Sequence, residues 1–93
     1  MTPEGKIQSK IIKFLRKENW HVFKIISASP NKLPDIIAHK RRKVLWIEVK
    51  APGGVLHPLQ SKRHRDILKL TGETVLVPYS YEEFLENYYK LFG

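Results

Sequence analysis

The sequence predicts an α/β domain in the order α-β-β-β-α-β-α, a mixed sheet flanked by helices, and three observations carry the prediction. Apolar residues recur at helical spacing in three stretches: Ile7, Ile11, Phe14 and Leu15, then Leu59, Ile67, Leu68 and Leu70, then Phe84, Leu85 and Tyr88. Runs rich in β-branched and aromatic residues lie between them, at Trp20–Ile26, Leu33–Ala38, Val44–Lys50 and Glu73–Val77. The second and third runs are joined by Lys40, Arg41, Arg42 and Lys43, too few residues for a crossover helix, so they form an antiparallel hairpin. The third and fourth enclose a whole helix. That is a right-handed βαβ crossover, and it sets the fourth strand parallel to the third.

With 93 residues the chain makes one domain with a modest core. It has no cysteine, which excludes disulfides and thiolate zinc sites. Its formal charge is +8, yet it carries two Trp, four Tyr and four Phe in patterned apolar segments, so it is a folded basic domain and not a disordered basic tail. Such a domain meets a polyanion, nucleic acid first. No apolar run approaches the roughly 20 residues of a membrane span and no signal peptide opens the chain, so a cytoplasmic location and no membrane partner are expected.

The elements follow in order. Thr2, Pro3 and Glu4 are an N-cap, a proline at the first helical position and an acid in the first turn, predicting a helix from Pro3 to Lys17 or Glu18. Trp20–Ile26 is the first strand, and the turn-forming residues Ser27 to Lys32 lead into Pro34 and Asp35. Ala51, Pro52, Gly53 and Gly54 end the third strand. The second helix starts near Pro58, turns Leu59, Ile67, Leu68 and Leu70 to the core, and shows a basic surface of Lys62, Arg63, His64, Arg65 and Lys69 that can meet phosphates. Thr71 and Gly72 terminate it. Ser80 and Glu83 form a capping box for a last helix bearing Tyr81, Phe84, Leu85, Tyr88, Leu91 and Phe92.

Chemistry concentrates between Pro34 and Lys50. Side chains alternate along a strand, so Val44, Trp46, Glu48 and Lys50 share one face while Leu45, Ile47 and Val49 share the other, with Glu48 and Lys50 roughly 6.7 Å apart. The hairpin returns Asp35 beside the end of the third strand, which gathers Asp35, Glu48 and Lys50. Two converging carboxylates repel unless a cation intervenes, and a hard cation such as Mg²⁺ is bound by one or two carboxylates, with water and phosphate filling its shell. A protonated lysine is no ligand. It can orient the attacking water or stabilise charge on a phosphate.

Pro34-Asp35 followed by Glu48-Val49-Lys50 resembles the signature of the PD-(D/E)xK nucleases. With Glu4 on the first helix, Gln60 on the second, and the Leu70 to Pro78 turn and strand, the chain resembles a stand-alone VRR-Nuc domain over nearly its whole length, similar to archaeal Holliday-junction resolvases. Compact members of that family occur in viruses. The resemblance implies a restriction-endonuclease-like core and a metal-dependent, structure-selective DNA endonuclease acting on branched DNA as a homodimer. It implies a Mg²⁺ or Mn²⁺ site on Asp35, Glu48 and Val49, with Lys50 assisting the water and Glu4 and Gln60 supporting. By the same resemblance Lys24, Ser27 and Ser29 contact the substrate, beside Lys62 and Arg63. The exposed face of the first helix, or Tyr88, Tyr89 and Phe92 of the last, are candidates for the dimer contact, unless those aromatics only complete the core. A nickase needing a targeting partner is the alternative within the same fold. A non-catalytic nucleic-acid-binding module accounts for the charge and the aromatics equally well, and a small basic structural protein of a ribonucleoprotein is a third reading.

Overall fold

The computed structural model describes residues 1–25 and 33–92, with elements α1 (Pro3–Lys17), β1 (His21–Lys24), β2 (Ile36–Lys40), β3 (Lys43–Ile47), α2 (Pro58–Thr71), β4 (Val75–Leu76) and α3 (Tyr81–Phe92). The order of elements is the one expected. The strands lie in one sheet in the order β1-β2-β3-β4, antiparallel from β1 to β3, with β4 parallel to β3. Among the described residues no helix is long and apolar enough to cross a membrane.

Local chemistry sets the boundaries. The Thr2 hydroxyl accepts from the Gly5 N–H at 3.0 Å, Pro3 opens α1, and Arg16 and Lys17 face the negative end of its dipole. Asn19, at φ 69°, takes the left-handed conformation that asparagine tolerates and turns the chain into β1. Strand β1 is shorter than Trp20–Ile26: Trp20 precedes it, its N–H bound to the Leu15 carbonyl at 2.9 Å, and Ile26 lies outside the described residues. Arg41 has φ 56°, matching a two-residue hairpin whose first central residue needs a positive φ. Gly72, at φ 77°, ends α2 and donates to the Leu68 carbonyl at 2.8 Å. At the start of α3 the Ser80 hydroxyl accepts from the Glu83 N–H at 3.0 Å.

Strand β3 pairs with β2 only as far as Ile47, but its other edge stays engaged. The Glu48 N–H donates to the Leu76 carbonyl at 2.8 Å and the Lys50 N–H to the Pro78 carbonyl at 3.1 Å. The period of two therefore persists through residues 48 to 50. Val49 turns into the core with no exposed surface, leaving Glu48 and Lys50 on the other face.

The core lies between the sheet and α1 and α3. Ile11 and Leu15 of α1 and Phe84 and Tyr88 of α3 pack with Trp20, Ile36, Ala38, Leu45, Ile47 and Val49. Phe14 stands edge-on to Tyr88 at 4.9 Å between ring centroids. The Trp20 indole N–H donates to the Tyr88 hydroxyl at 3.0 Å. Tyr88 is therefore a core residue and not a free dimer contact. Phe92 is partly buried against Trp20 and Tyr88, whereas Tyr89 is exposed.

Helix α2 departs from its predicted facing. Ile67 is buried, but Leu68 and Leu70 are 50% and 82% exposed. At about 100° of rotation per residue, Gln60, His64 and Ile67 form one stripe toward the sheet, and Leu68 and Leu70 fall to either side of it.

The Trp20–Tyr88 bond gives a stability test. Replacing Tyr88 by Phe keeps the ring packing and leaves the buried indole N–H without its acceptor, a loss of about 1–3 kcal/mol. Urea denaturation should show this for Tyr88→Phe and almost none for the exposed Tyr89→Phe.

Candidate active site

The register of β2 and β3 builds the site. Ile36 pairs with Ile47, and continuing the antiparallel register by one residue sets Asp35 opposite Glu48. The buried Pro34 precedes Asp35, whose carbonyl accepts from the Ile25 N–H at 2.7 Å. The Asp35 carboxylate in turn accepts from the Val49 N–H at 2.9 Å, a backbone donor freed because β2 pairing has ended. The sequence-predicted trio of Asp35, Glu48 and Lys50 is thus brought together.

Glu48 is 2% exposed. Burial is the largest influence pushing its carboxyl up to about 8, followed by the Asp35 charge and a hydrogen bond between the two carboxyls; Lys50 pulls in the other direction, and Glu4 adds a smaller upward push. Glu4, in the first turn of α1, is therefore within electrostatic reach of the site. Without a cation the pair retains a proton at neutral pH.

Lys50 is held from α2. Its ammonium donates to the Gln60 side-chain oxygen at 3.1 Å, and the same oxygen accepts from the His57 N–H at 2.8 Å. The latter bond belongs to a capping box in which the His57 ring accepts from the Leu59 N–H at 3.1 Å. One amide thereby fixes the start of α2 and tethers the lysine.

His64, expected on the basic surface of α2, instead faces the acids. Its Nε2 stands 3.9 Å from Glu48 Oε1, the two side chains being 13% and 3% exposed. Both atoms are buried without a hydrogen-bond partner. Burial first, and then the Lys50 charge, hold the imidazole below its usual pKa, with Asp35 opposing. The ring is therefore neutral at pH 7. The sequence signal that could have found it is its spacing of one helical turn from Gln60.

The remaining candidates lie further out. Lys24 is exposed at the end of β1 and lines a groove with Gln8, Lys13 and Arg16 of α1. Lys62 is exposed on α2, and the partly exposed Arg63 pairs with Asp66 at 3.3 Å. Ser27 and Ser29 lie outside the described residues.

Among the described residues no three His, Asp or Glu side chains form a ready-made metal-binding group. The donors present nevertheless suit a hard divalent ion: two adjacent carboxyls, one held protonated by burial and then by the other's charge, and a buried Glu48 oxygen with no partner. A divalent charge there would displace the shared proton and occupy the orphaned oxygen.

The model of the archaeal Holliday junction resolvase (Hjc) family matches residues 5–76. Among solved structures, a VRR_NUC domain superposes with a TM-score of 0.81 at 23% identity, over 92% of this chain and 94% of its own. A structure of Archaeoglobus fulgidus Hjc, a Holliday junction resolvase from an archaeal hyperthermophile, superposes with a TM-score of 0.59 at 21% identity, over 82% of this chain and 70% of its own. No curated protein matches the sequence. The fold is that of a VRR-Nuc, PD-(D/E)xK-type domain.

The carboxyl pair makes stability pH-dependent with a definite sign. Glu48 titrates near 4.5 when unfolded and near 8 when folded, so the folded protein keeps a proton that the unfolded chain releases. The stabilising contribution is complete below pH 4.5 and lost as pH rises through 8. Glu48→Gln removes that loss. In EDTA its gain over wild type in urea denaturation should be near zero at pH 4.5 and exceed about 1.4 kcal/mol, the worth of one pKa unit, at pH 8.

Proposed function

This chain belongs to the archaeal Holliday junction resolvase family, and from that membership and the geometry of the site we propose that it is an endonuclease hydrolysing phosphodiester bonds in branched DNA, four-way junctions or flaps, with Mg²⁺ or Mn²⁺ as cofactor. The observation that carries the proposal is the Asp35–Glu48 pair beside the Gln60-tethered Lys50, in a protein of net charge +8. Acids gathered where a polyanion binds would weaken binding. They make sense as the seat of a cation.

Asp35, Glu48 and the backbone at Val49 would hold the ion. When bound, it supplies Lewis-acid charge to the scissile phosphate and raises the acidity of water. Gln60 holds the Lys50 ammonium beside the carboxylates, where it orients the attacking water and stabilises charge building on phosphate oxygens. Glu4 adds negative charge to the same point and so strengthens the hold on a cation. Lys24, Ser27, Ser29, Lys62 and Arg63 serve as phosphate contacts that position the DNA without reading bases, which favours recognition of shape. One site cuts one strand. Symmetric nicking of a four-way junction needs two sites at fixed separation, which a two-fold homodimer supplies.

The test is cleavage of labelled four-way junction, flap, single-stranded and linear duplex DNA with Mg²⁺, Mn²⁺ or EDTA. Branched DNA should be cut only with metal, with paired symmetric nicks in the junction, and Asp35→Ala and Lys50→Ala should each lower the rate by about 10²-fold or more. Both variants should still bind the junction, with affinity falling steeply as salt rises. Intact substrates in every metal, with tight binding indifferent to divalent ions, would replace the nuclease by a binding module.

Lys62→Glu should weaken junction binding at low salt and flatten its salt dependence by about one phosphate contact, with little effect on the rate at saturating protein. Filter binding across a salt series together with single-turnover cleavage reads both.

A further inference from the structure

His64 has no part in the reading above, yet its surroundings suit few other roles. Its Nε2 and the Glu48 Oε1 face each other at 3.9 Å, both closed off from solvent and both without a hydrogen-bond partner. Leaving a buried polar atom unpaired costs roughly 1–3 kcal/mol, so two facing orphans favour a species between them. The separation exceeds the roughly 2.7–3.2 Å of a hydrogen bond. Two ligands of one octahedral ion with bonds of about 2.1 Å lie about 3.0 Å apart when adjacent and about 4.2 Å when opposite. The pair is not ready-made, and Nε2 reaches an adjacent position by closing about 0.9 Å.

The fold holds the imidazole there from both sides. One turn before it, Gln60 is tied to Lys50 at 3.1 Å; about one turn after it, Ile67 is buried. A surface histidine would swing into solvent. This one is anchored along the stripe of α2 that faces the acids.

We propose that His64, through Nε2, is a ligand of the divalent ion held by Asp35 and Glu48, and that it shifts the preference of the site from Mg²⁺ toward later first-row metals such as Co²⁺ or Zn²⁺. The proposal rests on the reading of the two carboxylates as a cation site. Oxygen donors alone suit Mg²⁺, which keeps its water shell and an octahedral arrangement, whereas an imidazole nitrogen favours later first-row metals. The rival role is that His64 only orients Glu48, directly or through a water. Glutamine at this position can still donate a hydrogen bond to the carboxylate but offers no nitrogen ligand.

The experiment uses the untagged full chain, as wild type, His64→Gln, His64→Ala and Asp35→Asn, each checked by thermal melting. Calorimetric titration with Mg²⁺ and Co²⁺ gives the ratio of affinities, and electron spin-echo modulation of the Mn²⁺-loaded protein detects a coordinated ¹⁴N. The wild-type Mn²⁺ spectrum should carry nitrogen modulation that His64→Gln lacks, and the Co²⁺ to Mg²⁺ ratio should fall about tenfold or more in both His64 variants. Wild-type Mn²⁺ bound without nitrogen modulation, or an unchanged ratio in His64→Gln, would overturn the assignment. In that outcome the carboxylate site would stand if Asp35→Asn still abolished binding. A wild type that bound none of the three ions would overturn both. The wild-type spectrum decides the nitrogen question even where a variant fails to fold.

Discussion

Everything at the site depends on the register of the β2–β3 hairpin. Because side chains alternate with a period of two, a slip of one residue would turn Glu48 and Lys50 into the core and bring Val49 out. Several contacts prevent it. Ile36, Ala38, Leu45 and Ile47 are all buried on one face, and the Asp35 carboxylate accepts from the Val49 N–H. Where β2 stops pairing, the other edge stays held by β4 and the residues after it, the Glu48 N–H donating to the Leu76 carbonyl and the Lys50 N–H to that of Pro78. The motif is thus a strand end, held in extended form by a parallel neighbour after its antiparallel partner has turned away.

That arrangement sets stability against chemistry. A glutamate buried beside an aspartate disfavours its own ionisation, and the hydrophobic packing of α1 and α3 on the opposite face of the sheet must carry the strain. The two faces are divided accordingly. One is dry and aromatic, with Trp20, Phe14, Phe84 and Tyr88 packed together, and the other carries the carboxyls, Lys50 and the residues of α2 that meet them.

Much of this was legible in the sequence. Helical and strand periods named all seven elements, and the shortness of Lys40–Lys43 against the helix-length link after Lys50 distinguished the hairpin from the crossover. The same reasoning placed Asp35 near Glu48. It fails on α2, where the apolar spacing predicts Leu68 and Leu70 in a core that the helix touches only along the Gln60–His64–Ile67 stripe. His64 was hidden by its neighbours, since it sits in the run Lys62, Arg63, His64, Arg65 and reads as part of a solvated basic face. Its spacing from Gln60 means something only once Gln60 is known to hold Lys50. The bond from Val49 to Asp35 could not be read at all, because a backbone N–H leaves no mark in the sequence.

Helix α2 is where packing and chemistry meet. It buries one residue, Ile67, a contribution of roughly 1.5–3 kcal/mol at most. The Gln60 bond to the Lys50 ammonium contributes about 1.5–3 kcal/mol, and the unpaired facing of His64 and Glu48 costs about 1–3 kcal/mol. The docking of the helix is therefore decided as much by the polar site as by the core. Any change in the charge held between Asp35 and Glu48 alters what Gln60 and His64 face, and so how firmly α2 sits on the sheet. The exposed basic side chains Lys62, Arg65 and Lys69 are carried on the same helix, so its seating on the sheet also sets where they stand.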